Sequence, residues 1–77
     1  MLQLITPQRL SIPTLHNYFS KRIKGNVILR PSEHGYFLHC DPTPAFLAWR
    51  LELRQAPEVI YINDVPITIE LNSYSSL

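Results

Sequence analysis

His39-Cys40-Asp41 is the one stretch of this chain whose residue types resemble a nucleophilic cluster. A thiolate beside an imidazole can attack an electrophilic carbon. In a strand, however, successive side chains point to opposite faces, so His39 cannot serve Cys40. Free cysteine is among the most buried residue types, and Asp41 fits better as a helix cap. Cys40 is the only cysteine, which excludes an intramolecular disulfide and a cysteine-based zinc site. His16, His34 and His39 lack ligand spacing, so no metal is expected. Gly25 and Gly35 are the only glycines and cannot form a phosphate-cradling loop, so no cofactor is expected. The six carboxylates, Glu33, Asp41, Glu52, Glu58, Asp64 and Glu70, show no catalytic spacing. The chain reads as a non-enzyme.

A second chemistry is phosphate binding. Residues 1–32 carry five basic and no acidic residues, while residues 33–77 carry six acidic against two basic. Lys21, Arg22, Lys24 and Arg30 cluster in sequence, with Arg9, Tyr18, Tyr36 and Phe37 in the same region. Cations neutralise phosphates and aromatic rings stack on bases. Gly35-Tyr36-Phe37-Leu38 faintly resembles the glycine-aromatic strand of RNA-recognition sheets. His34 stands where a basic residue would precede the glycine, one residue is missing between the aromatics, and no second motif strand is present. The competing explanation is that Lys21, Arg22 and Lys24 occupy a helix C-terminus, where cations favour the dipole. Nucleic-acid binding is therefore the alternative reading.

The elements that must position these groups follow from periodicity. Residues 1–5 alternate as a short strand, and Pro7 and Pro13 bracket an extended or turn-like stretch. Leu15, Phe19 and Ile23 recur at four-residue steps with Tyr18 alongside, predicting a helix over about 13–24. Ser11 or Thr14 would cap it and Gly25 would end it in a left-handed conformation. Residues 26–30 and 36–40 read as a hairpin around turn residues 31–35. Asp41-Pro42-Thr43-Pro44 starts a second helix over about 43–55, which Ala56-Pro57 ends. Residues 58–62 and 65–71 flank Asn63-Asp64 as a second hairpin. The fold class is α+β: a small two-layer sandwich in β-α-β-β-α-β-β order, with an antiparallel sheet and two helices on one face. It is either ferredoxin-like with an added edge strand or a duplicated α-β-β unit. A shift of 32 places Leu15, Phe19, Arg22, Val27 and Ile28 on Leu47, Leu51, Arg54, Val59 and Ile60.

Two surfaces stay open in this arrangement. With the Asn63-Asp64 turn, Ile62 pairs with Val65, Ile60 with Ile67 and Glu58 with Ile69. An even loop in the first hairpin pairs Leu29 with Leu38 and Val27 with Cys40. The outer sheet face then carries Ile28, Arg30, Phe37, His39, Val59, Tyr61, Pro66 and Thr68, which is apolar for a solvated face. On the second helix Phe46, Trp49 and Leu53 form one apolar stripe, and Leu47 and Leu51 form another. Arg50 and Arg54 project between them. One sheet cannot bury both stripes. The expected partner-binding residues are Arg30, Phe37, Trp49, Arg50, Arg54 and Tyr61, the aromatics as anchors and the arginines pairing with partner carboxylates.

The whole chain has 77 residues, 45% hydrophobic and 17% charged, with net charge +1. That is one globular domain over 1–71, near the lower size limit for folding alone, with a flexible polar tail over 72–77. No apolar run approaches a membrane span and no leader is recognisable, so a cytoplasmic setting without membrane contact is expected. Small domains without disulfides or metals often self-associate. The partner is therefore expected to be another protein or a second copy in a homodimer. The size and build fit small regulatory binders or inhibitors of bacterial or phage type.

Overall fold

The computed structural model describes residues 1–72. The elements are β1 (Leu2–Ile5), α1 (Ile12–Ile23), β2 (Val27–Ser32), β3 (Gly35–Cys40), α2 (Pro44–Gln55), β4 (Glu58–Ile62) and β5 (Val65–Leu71). The five strands form one sheet in the order β2-β3-β1-β5-β4, with every neighbouring pair antiparallel. Four of these, β2-β3-β1-β5, follow the ferredoxin-like order, and β4 is added outside β5. Residues 73–77 of the expected tail lie outside the described residues. Asn72 is buried, and its amide donates to the Met1 carbonyl at 3.2 Å.

Each helix forms around one apolar stripe. Leu15, Phe19 and Ile23 of α1, and Phe46, Trp49 and Leu53 of α2, are buried. They cover Leu2 and Leu4 of β1, Tyr36 and Leu38 of β3, and Ile67 and Ile69 of β5 in a single cluster. Phe19 and Trp49 stack at a centroid distance of 6.0 Å, joining the two helices over the sheet. Both hairpin registers are those expected from alternation: Leu29 faces Leu38, Val27 faces Cys40, Ile62 faces Val65 and Ile60 faces Ile67. Gly35 is required by crowding, because a Cβ there would overlap the Leu4 carbonyl oxygen of the neighbouring strand.

Three local expectations are corrected. Lys24, not Gly25, takes the left-handed conformation after α1, with φ 57°. Gly25 is needed for space, since a Cβ there would come within 2.7 Å of the Thr43 methyl. Thr43, not Asp41, caps α2 by accepting from the Phe46 amide at 3.1 Å. Its hydroxyl also donates to the Ile23 carbonyl at the end of α1. Asp41 instead accepts from the Asn26 amide at 2.9 Å and ties the start of β2 to the end of β3. β2 runs on through Pro31 because it is an edge strand, where a missing N–H can face solvent.

The 32-residue shift aligns the helix bounds but not the faces. It pairs buried Leu15, Phe19 and Val27 with exposed Leu47, Leu51 and Val59. The two halves share an element order rather than a packing pattern.

Candidate functional site

The outer sheet face is uncovered, and its register divides it. At one corner, Ile28 is 62% exposed, and Arg30 lies opposite half-buried Phe37. At the opposite corner, Val59 is 54% and Tyr61 70% exposed, with Pro66 beside Tyr61. The strands between them carry Gln3, Thr68 and Glu70, with Ile5 the one apolar side chain of that face on β1. The face thus offers two apolar corners across a polar centre.

On α2 the second stripe is solvent-facing: Leu51 is 60% exposed and Leu47 is also exposed. Arg54 is exposed beside them. Arg50 is half-buried, its guanidinium carbon 5.8 Å from the Phe46 ring centroid. Its Nε is buried without a hydrogen-bond partner among the described residues. Trp49 does not belong to this surface. At 3% exposure it lies in the core, because its stripe and not that of Leu47 and Leu51 faces the sheet.

Trp49 instead belongs to a polar knot that sequence reasoning missed. Arg22 donates from both terminal nitrogens to the two Glu58 carboxylate oxygens, at 2.8 and 2.9 Å. The same guanidinium sits 4.3 Å over the Trp49 ring, and the indole N–H donates to Glu58 Oε1 at 2.9 Å. Bidentate charge-assisted pairs are strong and geometrically demanding. The knot joins α1, α2 and β4. Hydrogen bonding from Arg22 holds the Glu58 carboxyl below its ordinary pKa, against the opposing effect of burial. Burial disfavours the Arg22 charge, but Glu58 and Tyr18 together outweigh it and its pKa is raised. The signal was present: alternation places Glu58 on the helix-facing side of β4, where a carboxylate needs a cation.

The knot also divides the basic cluster. Arg22 is committed to Glu58. Lys21 lines a groove between α1 and the end of β4, together with Thr14, Asn17, Tyr18, Arg22 and Ile62, with a volume of about 510 Å³. Arg30 stands on the opposite, outer layer of the sheet, across from Phe37. Lys24 is the exposed residue closing α1. Arg9 donates to the Ser32 and Gly35 carbonyls at 2.9 and 3.1 Å, and its guanidinium carbon sits 5.0 Å from the Tyr36 ring centroid. It pins the chain leading into α1 to the β2–β3 hairpin.

His39 and Cys40 occupy opposite faces of β3, with Cys40 packed against the core. Burial pushes the Cys40 thiol up to about 11, so it is protonated at neutral pH. Among the described residues, no three His, Cys, Asp or Glu side chains converge as metal ligands. Among the described residues, no helix is long and apolar enough to cross a membrane. No family model, curated protein or solved structure matches the chain.

Proposed function

We propose that this chain is a small non-enzymatic protein-interaction module, a regulatory binder or inhibitor. The observation that carries the reading is the exposed apolar stripe of α2, Leu47 and Leu51, flanked by Arg50 and Arg54. A helix whose core-facing stripe is already complete has no folding need for a second one. An exposed apolar pair supports a contact surface, and the flanking arginines are of the type enriched in binding hot spots. The corner with Ile28, Arg30 and Phe37 on the outer sheet face supplies a second contact on the other layer.

The test is affinity capture from extract of the source cells, after nuclease treatment, with wild type, Leu51→Glu and Phe37→Glu. A discrete protein retained by wild type and lost with Leu51→Glu, at unchanged circular dichroism, supports the reading. Retention by both variants at wild-type level overturns it. So does a protein captured only when the nuclease treatment is omitted.

A further inference from the structure

We propose that two copies of this chain pair through the outer edge of β4, making one continuous ten-stranded antiparallel sheet from two five-stranded ones. The proposal rests on the interaction-module reading and deepens it: one partner is a second copy, and the contact is a strand edge rather than the α2 stripe.

The hydrogen-bond parity of β4 can be counted from its turn. Asn63 and Asp64 both have positive φ, 51° and 65°, which is the two-residue hairpin turn of type I′. Ile62 and Val65 therefore exchange backbone hydrogen bonds, as do Ile60 with Ile67 and Glu58 with Ile69. Val59 and Tyr61 then turn their N–H and C=O groups away from β5, to the open edge. Pro66 fits this count. Its missing N–H would point toward β1, which has ended at Ile5 opposite Thr68. Among the described residues, no backbone hydrogen bond reaches the open edge of β4.

The two edges of the sheet are not alike. The same count on β2 turns Val27, Leu29 and Pro31 outward, so that edge carries a proline. Edge prolines block the addition of a further strand. β4 has no proline, and its exposed side chains are Val59 and Tyr61. One protected edge and one open edge allow a closed two-fold pair but not a growing array.

The open edge also complements itself. With the two-fold axis at Ile60, Val59 of each copy meets Tyr61 of the other, and their outward groups make four main-chain hydrogen bonds. On the outer face Val59 packs against Tyr61, an aromatic–β-branched pair; on the helix side Ile60 meets Ile60. Glu58, the only charged residue of β4, falls opposite Ile62 of the second copy. Glu58 is already neutralised by Arg22 of its own copy, so the paired β4 strands bring no like charges opposite each other. Five residues make a small interface, so the dimer is expected in roughly the micromolar range.

Sedimentation equilibrium of the full chain, at two salt concentrations, tests this with three variants. Val59→Pro removes an outward N–H while leaving the ladder to β5 intact. It should weaken the dimer roughly thirtyfold, through one hydrogen bond lost per copy. Tyr61→Lys places a charge at the same edge, gives the same loss and serves if the proline variant is unstable. Leu51→Lys should leave dimerisation unchanged. A wild-type chain that stays monomeric up to roughly 1 mM overturns the edge pairing, while the α2 reading stands or falls on its own capture experiment. A dimer that survives both edge variants, or that Leu51→Lys dissociates, also overturns it.

Discussion

Arg22 and Glu58 lie 36 positions apart, and neither is explained by its own element. At the end of α1, Arg22 resembles any cation at a helix C-terminus. Its bidentate bond, its place over Trp49 and the indole bond to Glu58 make it a clamp between three elements. Removing one partner leaves a partly buried charge with lost hydrogen bonds, so Glu58→Gln should destabilise the fold by about 1–2 kcal/mol after allowance for solvent screening. The pH dependence has a definite sign. Because the folded carboxyl titrates below its ordinary value of 4.5, its contribution is fully present above that pH and fades as pH falls through the folded value. Wild type should therefore lose stability below about pH 4.5 more steeply than Glu58→Gln, as read by urea denaturation at several pH values. No rule of spacing pairs residue 22 with residue 58. What the sequence did contain was a carboxylate on the buried parity of a strand. That demanded a cation without saying which, because the partner depends on how α1 crosses the sheet.

The helices and hairpins were mostly legible, for identifiable reasons. Four-residue apolar steps specified α1, and a two-residue turn fixed every pair in the β4–β5 ladder. The errors concentrate at element ends, where two residues compete for one role. Asp41 and Thr43 can both cap a helix, and the backbone path gives the cap to Thr43 and the turn amide of Asn26 to Asp41. Gly25 looked like the left-handed residue, but the approach of Thr43 reserves it for close packing and leaves the left-handed position to Lys24. A non-glycine residue there carries strain that glycine would not. Lys24→Gly should stabilise the chain by about 0.5–1 kcal/mol, whereas Gly25→Ala should destabilise it, both measured by thermal denaturation. The open stripe of α2 was also legible, because two apolar stripes cannot both face one sheet. Which stripe is buried was not, since both have the composition of a core; the sheet selects the one with Trp49.

At the scale of the molecule, the four basic residues clustered in sequence do not all share one face. Arg22 is bonded to Glu58, Lys21 and Lys24 are exposed at the end of α1 on the helix layer, and Arg30 lies on the outer side of the sheet. A single-stranded oligonucleotide can therefore engage only one or two of these cations at once. The slope of log affinity against log salt should be no steeper than about −1 to −2, whereas four phosphate contacts would give about −3. Fluorescence anisotropy across a salt series reads this directly. The expected apolar sheet face divides in the same way, into two corners about a polar centre. The proposed contacts, the α2 stripe, the Ile28–Phe37 corner and the β4 edge, thus face different directions on a body of 28 × 23 × 19 Å. The knot of Arg22, Glu58 and Trp49 has an optical consequence as well. The chain has a single tryptophan, so its emission has one origin: an indole capped by a guanidinium, bonded to a carboxylate and stacked on Phe19. Spectral position and quenching therefore report the junction of both helices with β4, and any event that loosens that junction changes the colour of the whole protein's fluorescence.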